Sequence, residues 1–96
     1  MEARTYHIVW NDIEIEVTYW PLKWNTISHL EVRTIAPERA PLPITETGYR
    51  SHFFQPFDTS LSEIEVVAMV REWIEGEARK PEWKNAVEAS RQGELF

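Results

Sequence analysis

Apolar and polar residues alternate over residues 13–20 (IEIEVTYW): Ile13, Ile15, Val17 and Tyr19 are apolar, with Glu14, Glu16 and Thr18 between them. A period of two predicts a strand with one face on a core and an acidic face toward solvent. Residues 5–10 (TYHIVW) precede it across Asn11-Asp12. Asn and Asp both tolerate positive φ, so the pair reads as a hairpin closed by a two-residue turn. Pro21 is expected to close the second strand. A loop holding Trp24, Asn25 and Thr26 then leads to a third strand over 27–35, where Leu30 and Val32 alternate with His29, Glu31 and Arg33. From 36 to 59 the alternation lapses. Pro37, Pro41, Pro43 and Pro56 interrupt regular structure and Gly48 is free to turn with positive φ, which predicts an ordered loop. Within it, 49–54 (YRSHFF) has the length of a fourth, edge strand, with Tyr49, Ser51 and Phe53 on one side and Arg50, His52 and Phe54 on the other.

Helical spacing takes over beyond residue 60. Ser60-Leu61-Ser62-Glu63 has the spacing of a capping box and predicts a helix starting near Leu61. Val66, Val67, Val70, Trp73 and Ile74 then fall on one face and Glu65, Glu72 and Glu75 on the other, while Gly76 weakens the last turn. Pro81 suits the first position of a second helix, whose stripe is Trp83, Ala86, Val87 and Ser90 and which ends near Gln92. No internal repeat or low-complexity segment interrupts the pattern. The predicted fold is α+β: a three- to four-stranded antiparallel sheet packed against one long and one short C-terminal helix. Residues 1–91 read as a single domain and 92–96 as a C-terminal tail.

Composition narrows the function classes. Ninety-six residues, 43% of them hydrophobic and with five Trp, suffice for one core and exclude wholesale disorder. A formal charge of -6 argues against a protein that grips nucleic acid through many phosphate contacts. With no Cys there is neither a disulfide framework nor a thiolate nucleophile or metal ligand. The longest apolar run, 66–70, is far below the roughly 20 residues that span a bilayer, and no signal-peptide pattern is present. The expectation is a cytoplasmic protein without a membrane partner or cofactor.

The densest group of chemistry-bearing residues is 44–54 (ITETGYRSHFF). A functional reading makes Glu46 and His52 an acid–base pair, with Tyr49 and Arg50 beside them and Arg50 as an anion anchor. The alternative is that these groups cap turns and tie the loop to the sheet, and no established catalytic spacing is present. His7, His29 and His52 are too far apart in sequence to form a ligand motif, although strands could bring His7 and His29 to one exposed face; no metal is expected. Glu14, Glu16 and Glu31 on the outer sheet face, with Glu65, Glu72 and Glu75 on the outer helix face, could imitate a phosphate array, as in acidic inhibitors of DNA-binding enzymes. The alternative is a solvated face, interrupted by Arg33, Arg71 and Arg79. Trp20 and Trp24 flank a turn, and an exposed pair there would mark an interface.

The tail Gln92-Gly93-Glu94-Leu95-Phe96 resembles the short peptide by which bacterial replication and repair proteins bind the sliding clamp. Gln92, Glu94, Leu95 and Phe96 match the leading Gln, the acidic residue and the apolar pair of that peptide. The resemblance implies that Leu95 and Phe96 would anchor in a preformed pocket while the Gln92 amide satisfies backbone groups at its rim. Gly93 departs from the usual Leu, which removes one pocket contact and raises the cost of ordering the segment. The tail could instead fold back on Trp83 or Val87 as a helix-end contact. Residues 9–17 (VWNDIEIEV) and 40–54 are similar to segments of small proteobacterial chromosomal and plasmid proteins, a resemblance that carries over no activity. The leading expectation is a non-enzymatic protein–protein interaction module docking on the clamp through its tail. The alternatives are a homodimer formed through a sheet edge, an acidic DNA mimic, and a small enzyme using residues 44–54.

Overall fold

The structure, a computed structural model, describes residues 3–23, 27–56 and 60–93. Strands β1 (Arg4–Trp10), β2 (Ile13–Lys23), β3 (Ile27–Ala36) and β4 (Tyr49–Phe54) form an antiparallel sheet in the order β1-β2-β3-β4. Helices α1 (Glu63–Ala78) and α2 (Pro81–Gly93) follow, giving the expected α+β architecture. Asn11 (φ 50) and Asp12 (φ 63) both take left-handed backbone, the requirement of the tight turn whose twist matches the strands it joins. The ladder it sets runs without interruption from Trp10↔Ile13 to Arg4↔Tyr19.

Pro21 does not close β2, which continues to Lys23. The β2–β3 register shifts between Trp20 and Lys23, so Pro21 sits at an irregularity where its missing N–H breaks no ladder bond, and its carbonyl accepts the Ser28 hydroxyl at 2.6 Å. Beyond β3 the chain passes through a cis Ala36–Pro37 bond and a short turn that buries Leu42 and Ile44 in the core. Gly48 (φ 80) re-enters the sheet there, its carbonyl accepting the Thr34 N–H at 2.8 Å. A Cβ at Gly48 would stand 2.8 Å from Arg39 Cα, so the turn needs glycine for space as well as for its φ.

The capping box lies two residues later than the sequence reading places it. Ser62, not Ser60, is the N-cap: its hydroxyl accepts the Glu65 N–H at 3.2 Å and the Glu65 carboxylate accepts the Ser62 N–H at 2.9 Å. The sequence contains two overlapping Ser-x-x-Glu frames, and tertiary contacts choose between them. Leu61 is buried, its N–H donates to the Tyr19 hydroxyl at 3.1 Å and its carbonyl accepts Arg4 Nη1 at 3.3 Å. Leu61 therefore lies outside the helix as the apolar residue before the cap, spaced to pair with Val66 in the first turn. Val66, Val70 and Ile74 are fully buried with Ile15, Val17, Leu30 and Val32 in one cluster, each such side chain contributing about 1.5–3 kcal/mol of transfer free energy. Glu75 is not confined to solvent, since it accepts the Trp10 indole N–H at 2.9 Å. Pro81 opens α2 as expected, and Trp83 packs against Trp10 with ring centroids 6.0 Å apart.

Candidate functional site: strand β4 and the cleft beside it

Strand alternation decides which of the 44–54 side chains can meet. The pairing of β3 with β4 places Tyr49 opposite Arg33, Ser51 opposite Glu31 and Phe53 opposite His29, all on the outer face of the sheet. Arg50 and His52, opposite Val32 and Leu30, fall on the helix-covered face. Tyr49 is thus separated from Arg50 and His52 by the sheet itself. On the outer face the Tyr49 hydroxyl donates to the Glu31 carboxylate, and the Arg33 guanidinium lies 5.7 Å from the ring centroid. The bond to Glu31 raises the Tyr49 pKa above its ordinary value, with desolvation and the Glu31 charge adding and Ser51 and Arg33 opposing.

Beside this pair lies an arrangement that the sequence reading missed. His29, which alternation could set with His7 on one exposed face, is only 3% exposed, stacked on Trp20 (5.0 Å) and Phe53 (4.2 Å), with Nε2 2.6 Å from Ser51 Oγ. Phe53 and Trp20 cover its two sides. The only available signal was register: each partner is unremarkable in its own strand, and the group exists only once β2, β3 and β4 are aligned. His7 reaches a different group, Glu16, at 3.6 Å.

On the other face, Arg50 lies 5.7 Å from the Trp73 ring centroid, and His52 is tilted against Trp73 (5.1 Å) and stacked near Phe54 (5.8 Å). Next to them a cleft of about 680 Å³ opens between the 41–47 segment and α2. Its apolar lining comes from Leu42, Ile44, Trp83 and Val87, and its charged groups are Glu46, Arg50, Glu77, Lys80 and Glu82. Lys80 Nζ is 2.7 Å from Glu77 Oε2, a partner that raises the lysine pKa. Glu46 and Arg50 share the cleft, while His52 and Tyr49 do not line it, so Glu46 and His52 are not brought together.

The acidic face of the sheet is interleaved with basic side chains. Glu16 stands opposite both His7 and Arg33, and Glu31 holds Tyr49 beside Arg33. Among the described residues no group of three or more His, Asp or Glu could hold a metal ion, and no helix is long and apolar enough to cross a membrane. Trp24 lies outside the described residues. Of the tail candidates, Gln92 belongs to the last turn of α2, and Glu94, Leu95 and Phe96 lie outside the described residues.

Residues 3–83 match the family model described as the KlcB third domain. No curated protein and no solved structure matches the chain.

Proposed function

We propose that this chain, which belongs to the KlcB third domain family, is a protein–protein interaction module and not an enzyme. The observation that carries this reading is the cleft beside α2. Its apolar lining is Leu42, Ile44, Trp83 and Val87, and its charges of both signs include a Lys80–Glu77 pair bonded to itself. An apolar floor with charges spread around it accepts side chains of another polypeptide and orients them, whereas acid–base chemistry needs groups converging on one reacting atom. The family's description as a third domain supports a unit that works next to other folded units. A cysteine-free sequence supports a cytoplasmic setting.

The C-terminal peptide supplies the partner for a more specific reading, docking on the bacterial sliding clamp through Gln92, Glu94, Leu95 and Phe96. Gln92 and Gly93 are helical at the end of α2, so extended docking unwinds that turn. Glycine in a helix is about 1 kcal/mol less favourable than alanine, which makes the unwinding cheap. The test titrates purified clamp against the intact protein, a Leu95→Ala/Phe96→Ala variant and a cleft variant, Val87→Arg. Micromolar or tighter binding lost only in the tail variant supports clamp docking. Loss in the cleft variant alone makes the cleft the docking site, and absence of binding by the intact protein refutes the clamp as partner.

A further inference from the structure

The first strand of the sheet has an edge of its own. The two-residue turn makes Trp10↔Ile13 a hydrogen-bonded pair, and alternation then assigns ladder bonds to Ile8↔Ile15, Tyr6↔Val17 and Arg4↔Tyr19. The N–H and C=O groups of Thr5, His7 and Val9 therefore point away from β2, along the open side of β1. One contact verifies this direction: the Val9 carbonyl accepts Arg71 Nη1 from α1 at 3.2 Å. Among the described residues no other hydrogen bond reaches these backbone groups. The edge is seven residues long and contains no proline, no lysine and no bulge, so that among the described residues its one protection is Arg71 on the Val9 carbonyl.

We propose that β1 is a self-association edge, on which a second copy of this chain pairs antiparallel about a twofold axis at His7 to make one eight-stranded sheet. Self-complementarity of the strand carries the assignment to a second copy. With His7 opposite the partner's His7, Thr5 meets the partner's Val9 on the outer face, and Tyr6 meets the partner's Ile8 on the helix face. The β-branched and aromatic–aliphatic pairs so formed are those that stabilise antiparallel ladders. The outward groups of Thr5, His7 and Val9 fall into register as hydrogen-bonded pairs with no residue skipped, the Val9 carbonyl accepting the partner's Thr5 N–H on its second lone pair beside Arg71. Arg4 comes opposite the partner's Trp10, whose indole already holds Glu75, so the guanidinium N–H groups not used on the Leu61 carbonyl meet a carboxylate at each end of the ladder.

Two further features lie on the same side of the molecule. A depression of about 480 Å³, lined by His7, Ile8, Val9, Glu14, Ile35 and Arg71, marks the place where the partner's Thr5 arrives. Val9 is 55% exposed and Ile35 42% exposed there. On α1, Ile64, Ala68, Arg71 and Glu75 share one helical stripe. Arg71 and Glu75 both contact β1, so that stripe borders the edge, and Ile64 on it is 80% exposed. The twofold axis brings the two α1 stripes together below the joined sheet, with Ala68 small enough for close approach, and covers Ile64.

Sedimentation equilibrium of the intact protein across a concentration series tests the assignment, and the expected species has twice the 11.4 kDa chain mass. Thr5→Lys with Val9→Lys sets like charges opposite each other at both ends of the dimer ladder and should weaken association about tenfold or more, without touching a buried side chain. Mixing that variant with Thr5→Glu/Val9→Glu should restore a heterodimer, because each Lys then faces a Glu. His7→Pro removes an outward N–H, together with the exposed imidazole beside Glu16, and breaks no β1–β2 ladder bond, so it should give a folded monomer by circular dichroism. A protein that stays monomeric throughout overturns the proposal. So does a dimer that both charge variants leave intact, or one that responds instead to Ser51→Lys on β4.

Discussion

Two overlapping Ser-x-x-Glu frames precede α1, and the choice between them makes a test in which packing does not interfere, because Ser60 and Ser62 are both exposed. In the observed frame, Ser62→Ala deletes the acceptor of the Glu65 N–H and leaves a first-turn donor without a partner. N-cap losses of this kind cost about 1 kcal/mol, within a range of roughly 0.5–2. For a chain of this length that is a fall in Tm of about 4–8 °C. Ser60→Ala, two residues before the N-cap, should stay within about 0.5 kcal/mol of the parent. Urea and thermal unfolding followed by helical circular dichroism measure both. Glu65 adds a pH signature: bonds from the Ser62 N–H and hydroxyl hold its carboxyl below the ordinary value of 4.5. A depressed folded value means the stabilisation is complete above the unfolded pKa and is lost as pH falls through the folded one. The gap between the parent and Glu65→Ala should therefore be full at neutral pH and close in acid. A Ser60→Ala variant less stable than Ser62→Ala would refute the frame and with it the role given to Leu61 as the residue that fixes the helix start.

Other expectations follow from glycine geometry and from Tyr49. Gly76→Ala should raise stability by about 0.5–1 kcal/mol in chemical denaturation, since nothing lies within 4 Å of the added Cβ in a helix interior. Gly48→Ala should lower it by roughly 2 kcal/mol or more, combining left-handed strain with a clash on the Arg39 backbone. In an alkaline titration followed by phenolate absorbance, the Tyr49 component should ionise above the ordinary value of 10.0. Tyr49→Phe should remove that component and Glu31→Gln should move it down. A raised phenol contributes stability below its unfolded pKa and loses it as pH rises through the folded value, so the stability gap between parent and Glu31→Gln should narrow in strong base.

Period and turn chemistry made most of the fold legible. The hairpin was readable because Asn11-Asp12 sits between two alternating runs and the turn needs positive φ at both residues. The buried face of α1 was readable because Val66, Val70 and Ile74 recur at helical spacing. The errors share one cause: local signals of equal strength were decided by distant contacts. Pro21 is a sound strand terminator until a shift in the β2–β3 ladder excuses its missing N–H. Ser60 is a sound N-cap until Tyr19 and Arg4 pull Leu61 into the core.

The candidate site was less legible because proximity in sequence works against proximity across a strand. Glu46, Tyr49, Arg50 and His52 lie within seven residues, yet once 49–54 is extended, successive side chains alternate between faces. Tyr49 joins Glu31 and Arg33, His52 joins Trp73, and Glu46 and Arg50 face α2 across the cleft. The same alternation governs the edge at β1, where Thr5, His7 and Val9 are each ordinary residues and gain meaning only because the turn fixes which backbone groups face outward. A cluster in sequence is evidence for a site on a loop or one helix face. On a strand the informative unit is the row across the sheet: Trp20, His29 and Phe53 form one such row, and Ser51 reaches His29 diagonally from the next.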